Sequence, residues 1–154
     1  MRRFACLSSL SALAIAFVWA NVAMAQTSKD YAKLGRTAWN AFECSALASK
    51  SKNPQDQERL FRFGYEQGLR FIDAVRSGDI ERQDISAAVP LAMALRLQGP
   101  TADFILGRVF EAAQKSALDS IYKAGETVVS DELQLTLARN EFLNRNCRAL
   151  GNRQ

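Results

Sequence analysis

The chain has 154 residues, no histidine and a formal net charge of +4. The missing imidazole removes the usual general base, the Ser–His and Cys–His dyads, histidine-ligated haem and most zinc sites. The small positive excess is scattered, with no basic run, so nucleic acid is not an expected partner.

The first 25 residues have the order of a secretory signal. Arg2 and Arg3 precede the apolar stretch LSSLSALAIAFVWANVAM, and Ala23-Met24-Ala25 forms a small-residue cleavage site. Residues 7–25 come near bilayer-spanning length, but Asn21 and the Ala-Met-Ala site favour cleavage after Ala25 over a retained anchor. Cys6 lies too close to the arginines to be the lipid-modified cysteine of a lipoprotein. The expectation is an exported, periplasmic protein that meets the membrane only through this segment during export. Residues 26–154, 129 residues with charge +2, are expected to form a single helical domain.

That region reads as helix throughout, poor in β-branched runs and with Gly and Pro at punctuation points. A first helix is predicted over 29–49, with Tyr31, Leu34, Ala38, Ala41, Phe42 and Ser45 recurring three or four apart. Asn53 as N-cap and Pro54 at the first helical position start a second helix, 54–76, which Ser77-Gly78 stops. On it Leu60, Phe61, Gly64, Gly68, Phe71 and Ile72 share one arc, opposite Arg62, Glu66, Arg70 and Asp73. Two glycines in an apolar arc imply close approach of a neighbouring backbone, each costing about 1 kcal/mol of helix propensity relative to Ala. Arg62, Glu66 and Arg70 read as a solvated ion-pair ladder.

A polar connector, DIERQDIS, follows, and then a short helix over 90–98, PLAMALRLQ, whose nearly continuous apolar surface predicts burial. Gly99-Pro100 launches a long helix over 101–123. AGETVV is a break, and Ser130 caps a last helix that carries Cys147; Gly151 and the final residues are expected to fray. The fold class is therefore all-α, a compact bundle of four to five helices. Cys44 and Cys147, the two cysteines beyond the signal, lie 103 positions apart. In an oxidising compartment they are expected to pair and staple the first helix to the last, for roughly 4–5 kcal/mol in the chain-entropy model.

Motifs for chemistry are scarce. There is no C-x-x-C, Walker loop, G-x-G-x-x-G or H-E-x-x-H, and Ser120-Ile-Tyr-Lys123 matches S-x-x-K without its companion motifs. Glu43, Glu66, Asp73 and Asp103 are carboxylates without a motif, so no catalytic residue, metal or cofactor is assigned.

Gly107 is the feature that asks for an explanation. Ile105, Leu106, Val109, Phe110, Ala113 and Ala117 form the core face of the 101–123 helix, whereas Gly107 projects away, among Asp103, Glu111 and Gln114. Phe104, Leu118 and Tyr122 fall on that outer side too. Either the helix is central, covered on both sides with Gly107 at a tight crossing, or Asp103, Phe104, Gly107, Arg108 and Glu111 mark a contact surface for another chain.

In size, compartment and architecture the chain resembles the small helical, disulfide-containing periplasmic immunity proteins that neutralise peptidoglycan-cleaving toxins. The resemblance implies a non-enzymatic inhibitor or immunity protein that works by protein–protein contact, and it assigns no residue. Two alternatives stay open: a small enzyme or ligand carrier with a pocket beside Gly64 and Gly68, using Glu66 or Asp103, and a structural subunit of an envelope complex.

Overall fold

The computed structural model describes residues 26–124 and 127–152, so the signal segment and its cleavage site lie outside the described residues. Helix α1 (Ser28–Lys50) begins with a reciprocal cap: Thr27 Oγ1 accepts from Asp30 N–H, and the Asp30 carboxylate accepts from the Thr27 N–H. Hydrogen bonds from Lys33 and Thr27 hold the Asp30 carboxyl down to about 2. Every residue from 41 to 48 is buried. The segment covered all round is therefore residues 41–48 of α1, a helix against which four others pack, and not the 101–123 helix. Its run of Ala, Ser and Cys between Phe42 and Lys50 is what lets neighbours close in from every side.

Helix α2 (Pro54–Ser77) starts as its caps predict. The Asn53 side chain accepts from Asp56 N–H at 3.2 Å, and the helix ends on Gly78 in the left-handed region, φ 78°. Gly64 and Gly68 are buried against α1. A Cβ on Gly64 would come within 2.9 Å of the Phe42 ring and 3.1 Å of Ala41 Cβ, and one on Gly68 would meet Leu106. The predicted ladder does not form: Arg62 pairs with Glu58, and Arg70 donates to Gln26. Phe61, expected in the buried arc, is half out, its ring edge-on to Phe110 at 5.1 Å.

The polar stretch after Gly78 was expected to be a connector and instead contains a helix, α3 (Arg82–Ala88). A tertiary tie overrides its polarity. Ser28 Oγ accepts from Glu81 N–H and donates to the buried Asp84 carboxylate, while Ile80 and Val89 anchor the two ends in the core. Helix α4 is a single turn (Leu91–Ala94), shorter than predicted. Only Met93 on it is fully buried; Leu91 and Leu95 are 72% and 69% exposed, against the expectation of a buried segment. One turn has one inward side, and Met93 fills it.

Helix α5 (Ala102–Tyr122) is followed by two residues of strand on each side of a turn, β1 (Lys123–Ala124) and β2 (Thr127–Val128), paired antiparallel. Helix α6 (Asp131–Asn144) is capped by Ser130, whose hydroxyl accepts from Leu133 N–H. The described chain is mostly helical, with six helices rather than four or five. Cys44 and Cys147 lie at disulfide distance, Cα–Cα 5.6 Å. Cys147 sits in the turn beyond α6, so the link joins α1 to the segment after the last helix. Of the end expected to fray, residues 153–154 lie outside the described residues; Gly151 stands against Phe63, where a Cβ would meet the ring at 2.8 Å, and Arg59 donates to the Leu150 carbonyl.

Candidate functional site

Thr101, in extended backbone, caps α5 by accepting from Phe104 N–H at 3.1 Å, and this sets the direction of the helix's first turns. The segment entering it folds back closely. A Cβ on Gly99 would strike the Phe104 ring at 2.6 Å and Ile105 at 3.0 Å, so this approach needs a glycine. Arg108 closes the same corner by donating to the Gln98 carbonyl at 3.0 Å. Its guanidinium lies 5.6 Å from the Phe104 ring centroid, within cation–π range.

The inner face of α5 is packed as its periodicity predicts, through Ile105, Leu106, Val109, Ala113 and Ala117. Leu118 belongs there too: it is buried, and its assignment to the outer side is corrected. The last turns of α5 pack against both α1 and α6, which widens the covered arc beyond one face.

All five residues proposed from sequence for the contact surface lie on the first turns of α5. Asp103, Phe104, Gly107 and Glu111 are exposed, and Arg108 is half-buried. Nothing lies within 4 Å of where a Gly107 Cβ would stand. The tight-crossing explanation of this glycine is therefore excluded; Gly107 opens to solvent. Asp103 accepts a hydrogen bond from the Tyr65 hydroxyl, which raises the phenol above its ordinary value and ties the site to α2. Phe104 is 50% exposed, a large ring kept at the surface with a guanidinium at its side.

Sequence reasoning missed the neighbouring apolar surface. Helix α4 packs on α5 and leaves Leu91 and Leu95 in solvent. The only signal was the excess of apolar residues over what a single-turn helix can bury.

The four carboxylates have different fates. Glu43 is buried and consumed: Ser116 Oγ donates to it at 2.9 Å and Arg145 Nη1 at 2.7 Å. Burial acts to lower the Arg145 pKa, but Glu141 and Glu43 outweigh it and hold the guanidinium above its usual value. Asp73 is exposed, and Glu66 lines an open hollow of about 560 Å³ with Gln55, Glu58, Arg59, Arg62 and Phe63. That hollow is on the polar side of α2, away from Gly64 and Gly68, whose surroundings are filled by Phe42 and Leu106.

Among the described residues no helix is long and apolar enough to cross a membrane. The chain matches no protein-family model, no curated protein and no solved structure.

Proposed function

We propose that the protein works in the periplasm as a non-enzymatic binding protein that grips another protein through the first turns of α5. Its role in this reading is inhibition or immunity, directed against an enzyme or toxin that acts on the cell envelope. The observation that carries the binding surface is Gly107 itself. It lies bare in mid-helix, flanked by half-exposed Phe104 and by Arg108, at a cost of about 1 kcal/mol that no internal contact recovers. A flat spot beside an aromatic and an arginine suits the anchor-and-pocket character of binding hot spots. Leu91 and Leu95 add apolar surface on the adjoining helix. The alternative of a ligand pocket beside Gly64 and Gly68 has no space, because side chains of α1 and α5 fill it.

The test is capture of partners by the tagged protein in the periplasm, with wild type beside Gly107→Gln and Phe104→Ala. The expected result is one envelope-active enzyme held by wild type and lost from both variants, at unchanged melting temperature. Adding purified wild-type protein should then depress that enzyme's activity, and the variants should not. Equal capture by all three proteins, or a captured enzyme whose activity is indifferent to the protein, would overturn the proposal.

A further inference from the structure

We propose a second binding site, for a small polyanion that carries carboxylate or phosphate groups beside an apolar portion. The site is a hollow of about 510 Å³ between the α1–α2 turn and α6. Three cations from three separate segments line it: Lys52 in the turn, Arg139 on α6 and Arg148 beyond α6. No acidic residue lines it, and among the described residues none of the three cations has a carboxylate within ion-pair distance. The contrast with the other large hollow is direct. There Arg59 and Arg62 face Glu58 and Glu66, and Arg62 is paired with Glu58.

Three like charges converging on one concavity repel one another, and an incoming anion turns that repulsion into attraction. Phe142, Leu143 and Pro54 supply an apolar wall, so the hollow combines a hydrophobic surface with convergent polar groups at ligand size. Lys52 stands between this hollow and an adjoining one, which it lines with Lys50, Asp131 and Glu132, and neither of those carboxylates is within ion-pair distance of it.

Lys52 provides a way to separate charge from fold. It adopts a left-handed conformation, φ 58°, closing α1 through hydrogen bonds from Lys52 N–H to Ser49 O and from Asn53 N–H to Ala48 O. Glycine suits that conformation better than lysine does. Lys52→Gly therefore removes a charge from the hollow while relieving its backbone.

The test is a nuclear magnetic resonance titration of the purified protein at low ionic strength, with inorganic pyrophosphate, citrate and a short acidic peptide as separate probes. Saturable shifts are expected at Lys52, Asn53, Leu143 and Arg148 with pyrophosphate or citrate, and a response to only one of these two would identify the group the hollow takes. Lys52→Gly should weaken binding roughly fivefold while the melting temperature rises, and Arg139→Gln with Arg148→Gln should weaken it at least tenfold, as for loss of charge-assisted hydrogen bonds. Lys115→Gln, in the surface pair with Asp119, should change neither. Three results would each overturn the proposal. These are no saturable shift up to about 10 mM, equal affinity in the double variant, or a response to an acidic peptide alone.

Discussion

The two ends of α1 sit in two different cores. Up to Phe42, its residues Ala32, Ala38, Trp39 and Phe42 cluster with Phe71, Ile72, Met93, Ile105 and Val109, and Gly64 and Gly68 let Phe42 and Leu106 close in. Towards its C-terminal end, Cys44, Ala46, Leu47 and Ala48 cluster with Leu60, Ala117, Leu118, Ile121, Ala138, Phe142 and Cys147. The first core coheres by shape: large rings and branched chains interlock, with glycines as the sockets. The second has a single buried aromatic ring, Phe142, and beside it Cys44 and Cys147 stand at disulfide distance and buried Glu43 pairs with Arg145. A cross-link stabilises most where it closes a long loop, and one between these cysteines would close a separation of 103 positions.

The largest expected effect tests the second core. Replacing both cysteines by serine should lower stability by roughly 4–5 kcal/mol in the chain-entropy model, a large share of the total for a domain of this size. Urea denaturation measures the loss, and amide exchange locates it. Protection at Ile121 and Ala138 should fall further than at Phe71 and Ile72. Protein isolated from an oxidising compartment should also contain no free thiol, which labelling after unfolding without reductant would check. Two free sulfhydryls, or uniform loss of protection, would erase the distinction between the cores.

A smaller effect tests the first core. Gly64→Leu and Gly68→Leu should each destabilise by roughly 1–3 kcal/mol or more, because added methylenes enter a filled crossing. The alanine variants rank the two sockets. A Cβ on Gly68 meets the far end of Leu106, which can turn aside, whereas one on Gly64 meets the Phe42 ring and Ala41 together. Gly64→Ala should thus have the lower denaturation midpoint of the two. The reverse order would show that the Phe42 ring yields more easily than the Leu106 tip.

The sequence already exposed the first core better than the second. The glycine pair in an apolar arc, the Asn53-Pro54 start and the Ser130 cap each have a local cause, and each appears in the structure where its residues put it. What escaped has a cause elsewhere in the chain. Helix α3 depends on Ser28, more than 50 residues upstream, and the polar face of DIERQDIS gives no hint of that bond. The central place of α1 depends on four helices agreeing to surround it, and its buried Glu43 is tolerable only because Arg145 and Ser116 arrive from other segments. The Lys52–Arg139–Arg148 hollow was invisible for the same reason, since its cations are dispersed in the chain and converge only in space. At the candidate contact surface periodicity placed Gly107 outward correctly and Leu118 incorrectly. A 100° projection finds one buried face and does not register a second neighbour such as α6.

The smallest expected effect sharpens what a glycine means in each region. Gly64 and Gly68 are sockets, and Gly107 is not; the same residue type in three helical positions should therefore respond with opposite signs. Gly107→Ala adds a methyl group to open space and removes the backbone entropy that glycine loses on folding, so it should stabilise the isolated protein by up to about 1 kcal/mol. Gly107→Gln should also leave the melting temperature at or slightly above wild type, since its side chain points into solvent beside Phe104 and Glu111. Under the proposed function the two variants part company on binding. A methyl group is small enough for a close-fitting partner to absorb in part, while glutamine stands where the partner would lie, and the complex should be lost. Thermal melts paired with sedimentation or capture of the partner separate the two quantities. A destabilised Gly107→Ala would mean that α5 is covered at this point after all. A stabilised Gly107→Gln with undiminished association would leave the bare glycine without a role in contact.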